Sequence, residues 1–286
     1  MPQPTKSTVT FGEKAVAAGR ERGRLCVGID PHPHLLEAWG LSADVDGLRT
    51  FTMTCVEAFV DTAAMVKPQV AFFERCGSQG FAVLEEALAA LREGGCLSLA
   101  DAKRGDIGST MAGYAEAWLG EDSPLRADAV TVSPYLGVGA LSPVFDVAEH
   151  SGRGVFVLAA TSNPEAKALQ SLSVEGRSVA QRVVDELAER NAAVATQGDG
   201  NEPSVGALGV VVGATLDTPP ELDQLNGPVL LPGVGAQGAT PADVRALTKA
   251  APELGFANVS RAILSCGPKV DDLRKAVIET AAEFRD

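Results

Sequence analysis

Short apolar runs rich in Val, Leu and Ala recur along the chain, each ending in polar or glycine residues. They fall at residues 25–30 (LCVGID), 65–70 (MVKPQV), 96–103 (CLSLADAK), 129–133 (AVTVS), 154–162 (GVFVLAATS), 208–215 (LGVVVGAT), 229–234 (VLLPGV) and 257–263 (ANVSRAI). Within each the apolar character is continuous rather than alternating, as in a strand buried on both faces. Between them lie segments with helical spacing. Phe51, Cys55 and Phe59 recur every four residues and share one face. Residues 81–92 (FAVLEEALAALR) consist mostly of strong helix formers. Val179, Val183, Leu187 and Val194 stand between charges over 178–195, and Leu273, Val277 and Ala281 share a face over 271–284. Thr240, Pro241 and Asp243 mark a helix start, with a hydroxyl cap, a proline in the first turn and an acid three residues after the cap.

Eight strand-like runs alternating with helical ones imply a parallel sheet. Eight such units in 286 residues match the (β/α)8 TIM barrel, typically ~250 residues long. A doubly wound open sheet is the competing arrangement. No Pro/Gly/Ser-rich linker divides the chain, so a single barrel domain over residues 1–286 is expected. The loosest stretch, 196–204 (TQGDGNEPS), reads as a surface loop.

Composition narrows the partners. Apolar residues make up 45% and charged residues 21%, which suits a folded enzyme and excludes global disorder. Lys plus Arg number 24 against 37 Asp plus Glu, a net charge of −13. Such a surface repels nucleic-acid backbone and anionic membrane, so neither is an expected partner. An anionic small substrate would need locally clustered Lys and Arg. Cys26, Cys55, Cys76, Cys96 and Cys266 are odd in number and widely spaced, with no zinc-type C-x-x-C, which fits a reduced cytoplasmic setting. His32-Pro33-His34 could offer two metal ligands but has no third nearby, so it reads as a polar turn and no metal is expected. The N-terminus carries Lys6, Glu13 and Lys14 and does not read as a signal peptide, and no apolar run reaches the ~18 residues of a membrane span.

In a barrel the active site lies at the C-terminal tips of the strands. Asp30, Lys67, Asp101, Lys103, Asp106 and Arg261 stand in or just after the apolar runs, three acids and three bases where most other residues are apolar. Asp101 and Lys103 are two apart and so point to the same side of a strand. Asp106 follows Gly105, where the chain can turn, so Asp-x-Lys-x-x-Asp gathers a cation between two anions. Neighbouring carboxylates favour a charged lysine. Such a lysine is a poor Schiff-base nucleophile but is well placed to donate a proton to a carbanion. Residues 233–238 fit G-x-G-x-x-G, a pattern shared with dinucleotide sites. Here it belongs to the seventh unit, and the eighth ends in Arg261. Glycine N–H groups, the helix start at Thr240 and Arg261 together suggest a phosphate site.

The run DAKRGDIGST at 101–110 resembles the signature of the orotidine 5'-phosphate decarboxylase family. LPGVGAQG at 231–238, Gly28-Ile29-Asp30 and Ser260-Arg261 are similar to that family and occur in its order, over roughly residues 25–265. Lys67-Pro68-Gln69 and Phe73-Glu74-Arg75 resemble its divergent bacterial branch, type 2. The resemblance implies cofactor-free decarboxylation of orotidine 5'-monophosphate to uridine 5'-monophosphate in pyrimidine biosynthesis. It implies that Lys103 donates the proton to C6, that Asp101 sits against the substrate carboxylate, and that Lys67 and Asp106 complete the charge network. Asp30 and Lys67 would hold ribose hydroxyls, Ser162 the pyrimidine edge, and Gln237 and Arg261 the phosphate, with Pro232 also in the substrate site. Asp106 and Thr110 would serve the neighbouring subunit's site, making a homodimer with shared active sites. The chain departs from the better-known branch around Thr161-Ser162-Asn163-Pro164 and over 166–204.

That chemistry is physically coherent. Departure of carbon dioxide leaves a carbanion without an electron sink, and a fixed ammonium stabilises the developing charge. An aspartate beside the departing carboxylate would destabilise bound substrate. Three rivals remain at this stage: a magnesium-dependent barrel acting on a phosphorylated keto sugar, a dinucleotide-dependent oxidoreductase built on the glycine loop, and a non-catalytic phosphate-ligand sensor.

Overall fold

The computed structural model describes residues 9–195 and 204–285. Lys6 and all of the 196–204 loop except Ser204 lie outside the described residues, as does the side chain of Val194. The strands are β1 (Leu25–Ile29), β2 (Met65–Pro68), β3 (Leu97–Arg104), β4 (Ala129–Val132), β5 (Gly154–Ala160), the short pair β6 (Ser173–Val174) and β7 (Arg177–Ser178), then β8 (Leu208–Val212), β9 (Val229–Pro232) and β10 (Gly255–Val259). All but β6 and β7 form one closed parallel barrel in chain order, with β1 closing against β10. The open-sheet alternative is thereby removed. Each apolar run overlaps one barrel strand, and the last shifts. Gly255 and Phe256 begin β10, whereas Arg261 opens the short helix Arg261–Leu264 instead of ending the strand. The backbone at Ser260 leaves the extended region, and Ile263 N–H bonds back to its carbonyl.

Residues two apart on a strand face the same way, and this sorts the barrel into layers. Cys26, Met65, Leu99, Ala129, Phe156, Leu230 and Phe256 pack inside with Phe11. Phe11 begins the helix Phe11–Arg22, which the apolar runs did not announce because its other buried positions are Gly12, Ala15, Val16 and Gly19. Its ring meets Phe156 edge-on at 5.9 Å and lies against the start of β5, closing the barrel floor. Two residues further along their strands come Lys67 after Met65, Asp101 after Leu99 and Thr131 after Ala129, all buried. The apolar floor thus supports a polar layer.

The opposite strand faces, among them Val27, Val66, Ala100, Val130, Val155 and Val210, pack against the helices. This explains the continuous apolar runs. Phe51, Cys55 and Phe59 are buried on the helix Val45–Phe59, and Leu273, Val277 and Ala281 on Val270–Ala282. After β5 the chain makes the β6–β7 hairpin, whose turn residues Glu175 and Gly176 both have positive φ, as a two-residue type I′ turn requires. Among the described residues no helix is long and apolar enough to cross a membrane.

Candidate active site

Asp101 is the centre of the polar layer. Its Oδ2 accepts from Lys67 Nζ at 3.0 Å and Gln69 Nε2 at 2.9 Å. Its Oδ1 accepts from Lys103 Nζ at 2.6 Å and Thr131 Oγ1 at 2.8 Å. These four donors fill the acceptor capacity of an ionised carboxylate. Lys67 Nζ also lies 3.8 Å from Asp30 Oδ1, a buried oxygen with no hydrogen-bond partner among the described residues. Two ammonium groups and two carboxylates therefore interleave.

Burial alone would drive the Lys67 ammonium down. Asp101 and then Asp30 outweigh it and hold Lys67 above the usual ammonium range. Burial would likewise raise Asp101, but Lys67 and Lys103 keep it below the usual carboxylate range. Burial pushes the neighbouring Cys26 thiol up to about 12 against the pull of Lys67, so it is not a ready nucleophile.

Lys103 differs from Lys67 in exposure: its side chain is 45% exposed against 4%. Simple alternation correctly placed it on the side of Asp101, but the backbone is not a regular strand. Pairing of β3 with β4 shifts register between Ala100 and Arg104, and Lys103 has φ 49°, in the left-handed region. Its N–H donates to Thr131 Oγ1 at 2.9 Å. Next to it, Arg104 pairs with Glu74 and lies 5.8 Å and 5.7 Å from the ring centres of Tyr114 and Trp118.

Asp106 does not flank Lys103 within its own chain. Its Oδ1 accepts from Ile107 N–H at 2.8 Å, and the only carboxylate paired with Lys103 among the described residues is Asp101. Gly105 turns the chain away, and Thr110 follows, exposed, in the first turn of the helix Gly108–Leu119. Ile107, Tyr135 and Leu136 are exposed nearby, on segments joined by Ser133 N–H donating to the Arg104 carbonyl at 2.7 Å.

Across the barrel, Ser162 Oγ donates to Gln237 Oε1 at 3.0 Å, joining the segment after β5 to the loop after β9. Pro232 ends β9 immediately before that loop. The glycines serve its shape: Gly233, Gly235 and Gly238 all have positive φ. The expectation that loop N–H groups face an anion is corrected for residues 235–238. Those of residues 235–239 all bond to carbonyls of the loop itself. The following helix, Pro241–Leu247, is capped reciprocally by Thr240 and Asp243, which places an acid at its start. The Gln237 amide and the exposed Arg261 guanidinium, which has no ion pair among the described residues, remain available to an anion. Arg261 stands beside the first strand, since the side chain of the preceding Ser260 lies against Gly28; burial lowers the His32 imidazole, against the pull of Asp30.

A cavity of about 590 Å³ opens beside Ser162, bounded by Thr161, Gln170, Arg177, Gln181 and Glu221. It lies beyond the charged centre, and its Arg177 is engaged by Asp185 at 3.4 Å and Glu221 at 3.9 Å. His32 immediately precedes the helix Pro33–Ala38 without a side-chain capping bond, its ring 4.3 Å from that of Phe72. Among the described residues no group of three His, Cys, Asp or Glu side chains is arranged to hold a metal. Sequence reasoning missed Thr131 and gave Gln69 no role in the site. The inward register of Thr131, two residues after Ala129, was the available signal.

The orotidine 5'-phosphate decarboxylase / HUMPS family model matches residues 23–276. The chain belongs to that family. It is 61% identical over 278 residues to an orotidine 5'-phosphate decarboxylase of Corynebacterium efficiens, covering 97% of this chain and 98% of that one. A Corynebacterium glutamicum enzyme of the same name is 58% identical over 277 residues, covering 96% and 98%. A crystal structure of a candidate orotidine 5'-phosphate decarboxylase from Streptomyces avermitilis superposes with a TM-score of 0.89 at 50% identity, covering 100% of this chain and 98% of that one. Leishmania donovani OMP decarboxylase gives 0.75 at 29%, covering 96% and 98%. Family membership thus accompanies the closed barrel and the Asp101-centred cluster.

Proposed function

We infer that this chain converts orotidine 5'-monophosphate to uridine 5'-monophosphate and carbon dioxide, a step of pyrimidine biosynthesis, without a cofactor. The observation that carries this reading is the Lys103 ammonium held 2.6 Å from Asp101, which Lys67 anchors from the other side. The C–C bond to the substrate carboxylate breaks, its electron pair stays on C6, and Lys103 delivers a proton there. Asp101 beside the carboxylate disfavours the bound ground state, and the two ammonium groups offset charge as it develops. The half-exposed Lys103 regains its proton from solvent.

The unmet Asp30 oxygen and Lys67 take ribose hydroxyls. Ser162 meets the pyrimidine edge, Pro232 lines the site, and Gln237 with Arg261 binds phosphate. The local cations answer the net charge of −13, which would otherwise repel a nucleotide. Full occupancy of Asp101 by donors leaves no free acidic pair for a magnesium-dependent keto-sugar mechanism. Asp106 and Thr110 serve a partner subunit's site in a homodimer. Support comes from Asp106 leaving Lys103 of its own chain and from the exposed Ile107, Tyr135 and Leu136 beside it. The chain acts as one barrel domain in the cytoplasm, in keeping with its five free cysteines. Mixing the protein with orotidine 5'-monophosphate tests the reading: substrate absorbance should fall as uridine 5'-monophosphate appears. Unchanged substrate with folded protein would refute it.

A further inference from the structure

We propose that Thr131 is a positioning residue, whose hydroxyl fixes the backbone and the carboxylate between which the Lys103 ammonium is aimed. The proposal rests on the reading of Lys103 as proton donor. Thr131 is fully buried in β4, in the inward layer with Lys67 and Asp101. A hydroxyl carries one proton and two acceptor lone pairs. Lys103 N–H donates to Oγ1 at 2.9 Å, so the hydroxyl proton is left for Asp101 Oδ1 at 2.8 Å. One side-chain group thus joins the main chain of residue 103 to the carboxylate that also holds its side-chain nitrogen. The chain is irregular at this point: β3 slips register against β4, and Lys103 sits at φ 49°. A non-glycine residue in that region persists only when its surroundings hold it there. The hydroxyl supplies such a restraint where the ladder is interrupted. It also opposes rotation of Asp101, whose other oxygen is held by Lys67 and Gln69.

Thr131 touches neither the ribose nor the phosphate groups proposed above, so its loss should alter the chemical step more than binding. Thr131→Val keeps the shape and removes the hydroxyl. Its kcat should fall ~10²-fold, the cost of a displacement of about 1 Å at the reacting groups, while KM stays within about threefold of wild type. Thr131→Ser, which restores the hydroxyl, should return kcat to within about threefold of wild type. Thr131→Cys, a much weaker hydrogen-bonding group of similar size, should resemble Val and replaces it if Val fails to fold. Near-normal kcat in a folded Val or Cys variant overturns the proposal. So does a raised KM with kcat preserved, or a loss that Ser does not rescue. Lys103→Ala, assayed alongside, separates the two layers. Turnover retained by Lys103→Ala defeats the proton-donor reading, whereas its loss together with a normal Thr131→Val defeats the positioning role alone.

Discussion

Replacing Lys67 by Met removes the ammonium while keeping most of the side-chain volume in a position only 3% exposed. Its nitrogen lies 3.0 Å from Asp101 and 3.8 Å from Asp30. Breaking a buried ion pair from one side costs ~3–5 kcal/mol. Asp101 retains Gln69, Lys103 and Thr131, so the lower end, ~3 kcal/mol, applies. For 286 residues at ~2.1 cal/mol/K each, the unfolding entropy is ~0.6 kcal/mol/K, and Tm should fall by ~5 °C. Urea unfolding gives the free energy directly, and the variants Asp101→Asn and Lys67→Met/Asp101→Asn complete a cycle. Neutralising both partners should cost less than the two single changes together, by well over the ~0.5 kcal/mol expected of independent sites. Asp101 is depressed in the fold, so its contribution is present above its unfolded value of ~3.9 and is lost as pH falls below it. Lys67 is raised, so its contribution is present below ~10.4 and is lost only as pH rises through its folded value. The Lys67→Met deficit should therefore be steady from about pH 5 to 9 and shrink in acid, as Asp101 takes a proton. Additive single changes, or a Lys67→Met protein as stable as wild type, would refute the reasoning.

Arg261→Ala should lower kcat/KM for orotidine 5'-monophosphate by ~10²-fold, from ~1.5–3 kcal/mol for a charged hydrogen bond. It should leave the poor turnover of phosphate-free orotidine nearly unchanged, and equal harm to both substrates would make Arg261 structural. Dialysis against a strong chelator should leave activity intact, and activity abolished by it and restored by magnesium would favour keto-sugar chemistry. Mixing inactive Lys103→Ala with inactive Asp106→Ala under subunit exchange should restore up to about a quarter of wild-type activity, since one site in each mixed dimer keeps both residues. No recovery despite demonstrated exchange would place Asp106 in its own chain's site.

Strands buried on both faces leave a strong apolar signature, so the barrel was legible from runs such as LGVVV in β8. The Asp101–Lys103 contact was legible too, because a two-residue spacing survives even across the β3 irregularity. Arg261 was misplaced by two residues because apolar Ile263 continues the run after the chain has turned into a helix. The floor helix was hidden by the glycine and alanine that let Phe11 approach the strands closely. The loop at 233–238 shows the limit of a motif. Its glycines declare positive φ, but which way the N–H groups face depends on the closed loop geometry, and here those of residues 235–238 bond inward. Thr131 escaped notice because a threonine in a strand is ordinary, and only the pairing register of β4 against β3 brings its hydroxyl to Asp101.

The central claim is that Lys103 protonates C6 of orotidine 5'-monophosphate once carbon dioxide has left. Lys103→Ala removes a half-exposed side chain whose only ion pair among the described residues is with Asp101, which Lys67, Gln69 and Thr131 continue to hold. The fold should therefore survive, with a modest loss of stability. Initial rates of uridine 5'-monophosphate formation, measured on folded Lys103→Ala and wild type under identical conditions, decide the matter. The account predicts a loss of several powers of ten in the variant. Turnover within tenfold of wild type would contradict it.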